Sequence, residues 1–505
     1  MKRLLKWLQS FDNNLLNIFL YVYIFLIPLY FKFPFIDIEF TYIYIRLEDI
    51  FIAIFYFLFL VQLLRKKVKL RTKFLMPVIL FWISISISFL LGFYVINTVP
   101  VFQLGLLHTL RRVEYMSIFF IAMSLITSKK MFLRILKLYI ATLLIVSLYG
   151  IGQRFFNLPA VQTANPEYAR GHILYLTPEA RISSTFGGHF DLSAYLTFSI
   201  PIAIGYYLFS KSKFLIFIFS LAISNLIYTV QRISFFAYAF TTTIFLSIVK
   251  RFKLLIYILI LSSVLILVSG ELTQRFAQTF QFKMIFVDRL SGSVDISQKI
   301  TTKELPAGSL EIPIPSKKKI ITKTEKEKLE IAGIAQQKAL AEARLKGIAI
   351  NSPEFEKLVN QFSSLIDVKR ALLCDISCST RLQIEWPRAI FAFLRNPLFG
   401  SGASSITEAT DSDYFRWIGE FGLVGTVLFW YILFAILRFN IKNRKYLLKS
   451  EKELYFGFIF GFIALILNAS YIDVFEASKV AYSFWLISGV FTGYMLTKVS
   501  ESKKS

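Results

Sequence analysis

Apolar residues run along most of this chain in stretches of 15 to 23 positions, broken by short polar links. Repeated stretches of about 18 residues or more predict helices that cross a membrane rather than core segments. About twelve spans are predicted: Leu15–Phe31, Leu47–Leu64, Phe74–Ile96, Val113–Thr127, Met131–Gly150, Leu192–Phe209, Phe214–Val230, Ile233–Val249, Leu254–Ser269, Phe415–Leu437, Leu454–Ser470 and Val480–Leu496. The links Arg65–Lys73, Lys129–Lys130, Lys211–Lys213, Lys250–Lys253 and Arg438–Lys452 are short and basic, and all fall on one side. Cytoplasmic links carry the Lys and Arg excess, so that side is cytoplasmic and an even span count puts both termini there. Lys2, Arg3 and Lys6 precede the first span and no small-residue cleavage site follows it, the pattern of a retained anchor. The expected fold class is an all-α polytopic protein of the cytoplasmic (inner) membrane.

Two links on the other side are long. Ile151–His189 contains Pro159, Pro166 and Pro178. Gly270–Tyr414 is far longer and must hold its own structure, since structureless loops of that size are uncommon. It begins with a proline-punctuated tether, Leu305–Pro315, followed by a Lys/Glu/Ala-rich helix over about Thr322–Ile350. Ser352 and Pro353 then make an N-cap and first-turn pair, and Phe355, Leu358, Val359, Phe362, Leu365 and Ile366 recur at helical spacing. The organisation is therefore a membrane bundle of about nine spans over residues 1–269, a large extracytoplasmic loop with a helical cap over 270–414, and about three spans over 415–505.

Composition agrees with this reading, at 56% hydrophobic and 17% aromatic over 505 residues. The net charge of +25 suggests nucleic acid at first sight. The cations are dispersed between apolar spans and form no basic stripe on a soluble domain, which excludes that partner. They act as orientation signals and contacts to anionic membrane lipid.

Candidate chemistry is sparse. The chain has two cysteines, Cys374 and Cys378, and three histidines, His108, His172 and His189. A disulfide and a pair of buried thiols both fit the cysteines. Neither a phosphate-binding glycine loop nor a nucleophile elbow is present, and Gly400-Ser401-Gly402 is a tight turn. No metal and no cofactor is implied.

What stands out is arginine on the non-cytoplasmic side, where no orientation rule rewards it: Arg46, Arg111, Arg112, Arg154, Arg170, Arg181, Arg232, Arg381 and Arg388. A guanidinium fork at a membrane surface suits bidentate binding of phosphate or carboxylate. Arg46 beside Glu48 and Asp49, and Arg111 and Arg112 beside Glu114, read as local ion pairs. Arg181 and Arg232 have small and hydroxylated neighbours instead, and are the better phosphate ligands.

Three segments carry the rest. Arg181-Ile-Ser-Ser-Thr-Phe-Gly-Gly-His-Phe-Asp-Leu-Ser-Ala-Tyr-Leu196 sets a cation, hydroxyls, His189 and Asp191 just before a span. Gln231-Arg232-Ile-Ser234 is a cation in a membrane-level hairpin. The third runs from Arg381 through Trp386, Arg388 and Asn396-Pro-Leu-Phe-Gly400 to Asp411-Ser-Asp413-Tyr-Phe-Arg-Trp-Ile-Gly-Glu-Phe-Gly-Leu-Val-Gly425.

In their order, spacing and common side, these segments resemble the O-antigen ligase and O-antigen polymerase-like family of bacterial envelope glycosyltransferases, over nearly the whole chain. The resemblance implies a metal-independent membrane enzyme of the GT-C type acting on undecaprenyl-diphosphate-linked glycans at the outer membrane face. Where ligase members carry a His-Asn pair this chain has Asp411-Ser412, and polymerase-like members often have an acid there.

The expected function is thus a polymerase or ligase of O-antigen or another surface polysaccharide. It moves glycan units from a polyprenyl-diphosphate donor to a glycan or other envelope acceptor. Arg181, Arg232, Arg388 and Arg381 would hold the diphosphate, with Asp413, Asp191 and Trp386 in support. Asp411 or His189 would activate the acceptor, and both stand open. Two rivals come from other classes. A flippase for the same lipid-linked glycans would need ionisable groups through the bilayer, where Arg134 and Lys137 are the visible candidates; a purely structural envelope protein is the other.

Overall fold

The structure, a computed structural model, describes residues 2–38, 44–163, 171–177, 180–270, 272–274, 280–288, 310–313, 325–350, 352–374, 378, 380–406 and 410–503. The chain divides into two compact units, one formed by Met1–Thr273 with Glu385–Ser505 and the other by Gln274–Ile384. The second unit ends at 384 rather than 414, so Trp386, Arg388 and Asp411 belong to the membrane unit while Arg381 does not.

In the membrane unit a helix lies over each of the twelve apolar stretches. They are α1 (Lys2–Leu29), α2 (Leu47–Leu64), α3 (Leu75–Tyr94), α4 (Phe102–Leu125), α5 (Lys129–Phe155), α6 (His189–Ser210), α7 (Phe214–Tyr228), α8 (Arg232–Ile248) and α9 (Phe252–Ser269). After the second unit come the short α12 (Trp386–Arg395), then α13 (Asp413–Asn443), α14 (Lys449–Ala469) and α15 (Ser478–Ser502). Among the described residues nine helices are long and apolar enough to cross a membrane. The three others fall short for plain reasons. α7 and α8 have 15 and 17 residues, about 23 and 26 Å of rise against a hydrocarbon core of about 30 Å. α4 is long enough, but His108, Arg111, Arg112 and Glu114 dilute its apolar run.

Two sequence patterns that were not singled out fix the closest helix crossings. Gly457-Phe-Ile-Phe-Gly461 on α14 meets α6 backbone to backbone: a Cβ on Gly457 would lie 2.4 Å from the Pro201 carbonyl oxygen, and one on Gly461 would lie 2.4 Å from that of Phe198. Gly489-Val-Phe-Thr-Gly493 on α15 does the same against α4, at 2.4 Å from the Phe119 and 2.7 Å from the Met123 carbonyl oxygens. Within a lipid solvent, close approach of this small-xxx-small kind supplies packing that hydrophobicity alone does not.

Several predicted boundaries move. α4 begins at Phe102, so Arg111 and Arg112 lie inside a helix rather than in the link before it. His189 is the first residue of α6. α13 begins at Asp413, and Asp411 precedes it outside the helix. Gly422 is non-helical within α13, at φ 63°. That break lets the N–H groups of Leu423 and Val424 donate to the Pro397 and Leu398 carbonyls at 2.8 and 3.0 Å. Gly400 packs into the same break, where a Cβ would sit 2.4 Å from the Glu420 oxygen. The Asn396–Gly400 and Gly419–Gly425 motifs are therefore two halves of one backbone joint.

The Gln274–Ile384 unit contains the expected helices, α10 (Glu325–Lys346) and α11 (Pro353–Leu365), with the Ser352 hydroxyl capping the Phe355 N–H at 3.2 Å. The membrane unit has two short antiparallel pairs, β1 (Pro34–Asp37) with β2 (Tyr44–Arg46) and β3 (Ala160–Gln162) with β4 (His172–Leu174), and the Gln274–Ile384 unit contains a sheet beside the expected helices. β5 (Phe280–Asp288) pairs antiparallel with β7 (Ile366–Cys374), and β7 pairs with β6 (Leu310–Pro313). β6 falls in the stretch read as a tether; Pro313 is tolerated there because β6 is an edge strand. Phe286 and Ile366 from the sheet pack on Ile331, Ile334 and Ala335 of α10. Cys378 is disulfide-bonded, and Cys374 is the only other cysteine in the chain.

Candidate functional site

Helices in an up-and-down bundle alternate in direction, so α1 ends where α2, α4, α6, α8, α13 and α15 begin. The contacts bear this out. The Lys479 ammonium, at the start of α15 and fully buried, donates to the carbonyls of Pro28 (3.1 Å), Tyr30 and Thr185 (2.7 Å) and lies 5.2 Å from the Phe186 ring. The Thr185 hydroxyl donates to the Pro28 carbonyl at 2.6 Å. Gln153 grips the Arg181–Asp191 segment from α5, accepting from the Ser183 and Ser184 N–H groups at 3.2 and 2.7 Å and donating to the Ser184 carbonyl at 3.0 Å. All three ammonium hydrogens of Lys479 are used. It is a clamp on that segment rather than a ligand-binding cation.

Around the clamp lies a first group of charges. Lys32 follows α1 and is buried, with its ammonium 3.9 Å from Asp191. Arg46, also buried, caps α2; its backbone N–H donates to Asp49 at 2.8 Å. Arg111 reaches the same Asp49 only at 3.8 Å and the Tyr115 hydroxyl at 3.4 Å. Neither carboxylate oxygen of buried Glu48 has a hydrogen-bond partner among the described residues. Burial pushes Lys32 below its ordinary value; Asp191 and Glu48 oppose the shift, and the charges of Arg46 and Arg111 add to it. Burial likewise lowers Arg46. Pairs at 3.8 and 3.9 Å are loose, which leaves guanidinium and ammonium hydrogens for another acceptor.

A second group is tight. Arg112 makes 2.8 Å contacts to both Glu420 and Glu476, and its guanidinium lies 4.5 Å from the Phe421 ring. Arg416 donates to one oxygen of Asp473 at 2.8 and 2.7 Å, to the Thr410 carbonyl at 3.0 Å, and stands 3.5 Å from Glu420. The Ser404 N–H donates to Glu420 at 3.2 Å. Asp473 is raised to about 8, first by burial and then by the neighbouring charges of Asp411 and Glu476 against the pull of Arg416.

The structure places the other predicted residues as follows. The Arg181 guanidinium donates to His189 Nε2 at 2.9 Å. Guanidinium offers only donors, so that nitrogen accepts and its lone pair is occupied. Asp413 is fully buried and accepts the Val474 and Phe475 N–H groups at 2.7 and 3.1 Å, pinning the α14–α15 link. The Trp386 indole stacks on Phe415 at 4.5 Å and donates to the Asp411 carbonyl at 3.2 Å, while Glu385 accepts the Asp411 N–H at 3.0 Å. Asp191 sits with Lys32. Arg232 is the first residue of α8 and half-buried; Ser234, two residues on, reaches Ser193 on α6 and Asn468 on α14 at 2.9 and 3.1 Å. Arg388 is exposed on α12. Arg381, buried, lies in the other unit.

Sequence reasoning assigned no role to Lys32, Lys479, Asp473 or Glu476, and set Arg46 and Arg111 aside as local pairs. Lys32 and Lys479 carried the same signal as the arginines, a cation flanking a span at the end opposite the short basic links. No protein-family model, curated protein or solved structure matches the chain.

Proposed function

We propose that the chain is a glycosyltransferase of the cytoplasmic membrane that transfers or polymerises glycan units from undecaprenyl-diphosphate-linked donors at the outer face. The supporting observation is the gathering of Lys32, Arg46 and Arg111 beside the Arg181–Asp191 segment, with the acids of Lys32 and Arg111 at 3.9 and 3.8 Å and the Arg46 Nε–H without a hydrogen-bond partner among the described residues. A diphosphate leaving group is a dianionic load that such spare donors suit. The basic links at the opposite end favour this end being outermost, and the disulfide at Cys378 fits an oxidising exterior for the Gln274–Ile384 unit.

In the reaction the acceptor hydroxyl oxygen attacks the anomeric carbon of the donor. The bond from that carbon to the diphosphate oxygen breaks with its electron pair, and the hydroxyl proton passes to a carboxylate. Asp411 is the better base of the two candidates, because the Arg181 N–H occupies His189 Nε2. Its backbone is held on both sides by Glu385 and Trp386, and Asp473 beside it carries its own proton up to about pH 8. Lys32, Arg46, Arg111 and, at the head of α8, Arg232 bind and neutralise the diphosphate.

The test is turnover by the purified chain in lipid nanodiscs with an undecaprenyl-diphosphate oligosaccharide. A longer or transferred glycan and free undecaprenyl diphosphate are expected. Lys32→Gln and Arg111→Gln should each lower kcat/KM by about ten-fold or more, the loss of at least one charge-assisted hydrogen bond. Arg232→Lys, which keeps charge but loses the fork, should lose most of the activity. Asp411→Asn at full activity would remove it as the base. Passage of the intact lipid-linked glycan across a bilayer with no new glycosidic bond would replace the reading with that of a transporter.

A further inference from the structure

The opposite end of the bundle holds a cavity of about 730 Å³. It is walled by the start of α1, the end of α2, the link to α3, the end of α4 and the start of α5. Asp12 in its wall and Leu29 at the other end of α1 are seventeen residues apart, about 26 Å at helical rise. The volume lies in the range of small-molecule sites, about 300–1,000 Å³.

Its chemistry is one-sided. Asp12 is the acid in the wall, and it is already neutralised more than once. Arg65 donates to both its oxygens at 2.8 Å, Gln62 donates at 2.8 Å, and Lys67 lies in contact with it. Arg71 uses its guanidinium on the Gly493 carbonyl and the Thr497 hydroxyl of α15 and pairs with no acid among the described residues. Burial pulls Arg71 below its ordinary value. Lys69 is exposed on the rim and pairs with no acid among the described residues either. Three cations of the lining, Lys67, Lys69 and Arg71, therefore accompany one acid that Arg65 already pairs from outside it. Leu16, Leu125 and Met131 add apolar surface to the lining. An anionic head beside an apolar surface at the end of a helix bundle is the geometry of a phosphate ester carrying a hydrocarbon part.

We propose that this cavity binds a phosphate ester, held by Lys67, Lys69 and the positive charge of Arg71, independently of the glycosyl-transfer reading. The ligand bolts the α2–α3 link to α1 and α4, as the Arg71 N–H already does with the Ser124 hydroxyl at 3.0 Å. The phosphate comes either from an anionic phospholipid headgroup or from a soluble ester, and the experiment separates them.

The full chain is purified in a neutral detergent and its thermal unfolding midpoint is followed against three additives: phosphatidylglycerol in mixed micelles, phosphatidylcholine in the same micelles, and glycerol 1-phosphate. A saturable rise with phosphatidylglycerol alone identifies a lipid site. A rise with glycerol 1-phosphate as well identifies a site for the phosphate ester itself. In both cases Lys67→Gln with Lys69→Gln should raise the half-saturating concentration by about ten-fold or more, from two lost cations near an anionic head. Lys69→Glu alone, at an exposed position that folding tolerates, should raise it too. Lys442→Gln, an exposed cation elsewhere on the same end, should leave it unchanged. Equal response to phosphatidylcholine, no response to any additive, or a Lys69→Glu response equal to that of the unaltered chain overturns the proposal.

Discussion

Removing Arg112 should damage the fold far more than removing its partner Glu420, and the reason is a charge count. The tight group contains two cations, Arg112 and Arg416, and three acids, Glu420, Asp473 and Glu476. The third acid is accommodated because Asp473 holds its proton up to about pH 8. Arg112→Met leaves one cation for three acids, with Glu420 only 1% exposed. Each lost attraction is worth about 4 kcal/mol at an effective dielectric of 20. Relief of the Arg112–Arg416 repulsion and of desolvation offsets part of the two losses, leaving about 3–5 kcal/mol, the usual result of orphaning a buried charge. Glu420→Gln keeps the shape and brings the group to two cations and two acids. Asp473 can then ionise beside Arg416, and the loss should be about 1–2 kcal/mol, one charged hydrogen bond. Reversible unfolding in bicelles measures both. The double variant should cost less than the sum of the singles by at least about 1.5 kcal/mol, since the two share one contact. Equal losses for the two single variants, or a larger one for Glu420→Gln, would refute the charge count.

Other outcomes follow from single features. Gly457→Val and Gly489→Val place a Cβ 2.4 Å from a carbonyl oxygen of the facing helix; the helices must part, so bicelle unfolding should show a loss of about 1–3 kcal/mol each, and an unchanged stability would mean that these crossings are slack. Asp473 is raised from 3.8 to about 8, so the folded chain holds this proton more tightly than the unfolded one. Its contribution to stability falls as pH rises through that window, and Asp473→Asn should flatten the stability–pH curve between about pH 4 and 8; an unchanged slope would assign it elsewhere. Gln336→Cys, at an exposed position on α10, should react with a membrane-impermeant maleimide in intact cells; labelling only after lysis would invert the topology.

The fold was legible where it depends on local pattern. Apolar runs located every long helix, and Ser352-Pro353 announced the start of α11, because both signals lie within one turn or one span. The sheet of the Gln274–Ile384 unit was not legible for the opposite reason. β5 and β7 pair Phe280 with Cys374, and nothing in Phe280–Asp288 names a partner so far along the chain. The site was half legible for a related reason. A cation on the unexpected side of a span can be read from sequence, which found Arg46, Arg111 and Arg181. Whether it is satisfied depends on residues distant in sequence: Lys479 is consumed by three carbonyls from α1 and the Arg181–Asp191 segment, and Arg112 by Glu420 and Glu476. Adjacent residues can therefore have opposite fates, as Arg111 and Arg112 do.

That pair also shows how the bundle separates holding from binding. Successive positions on a helix point about 100° apart, so Arg112 turns to α13 and the α14–α15 link while Arg111 turns to α2. The first is locked by two contacts at 2.8 Å and a ring face, the second held only by longer ones at 3.4 and 3.8 Å. The tight group, the Lys479 clamp and the glycine joint at Gly400 and Gly422 all fix backbone, and substitutions there should read out as stability. The loose group fixes little, so the same kind of substitution at Lys32 or Arg111 should read out as lost binding with the fold intact. A site for a dianion needs this division, because cations already saturated by their own acids have no donors left to give.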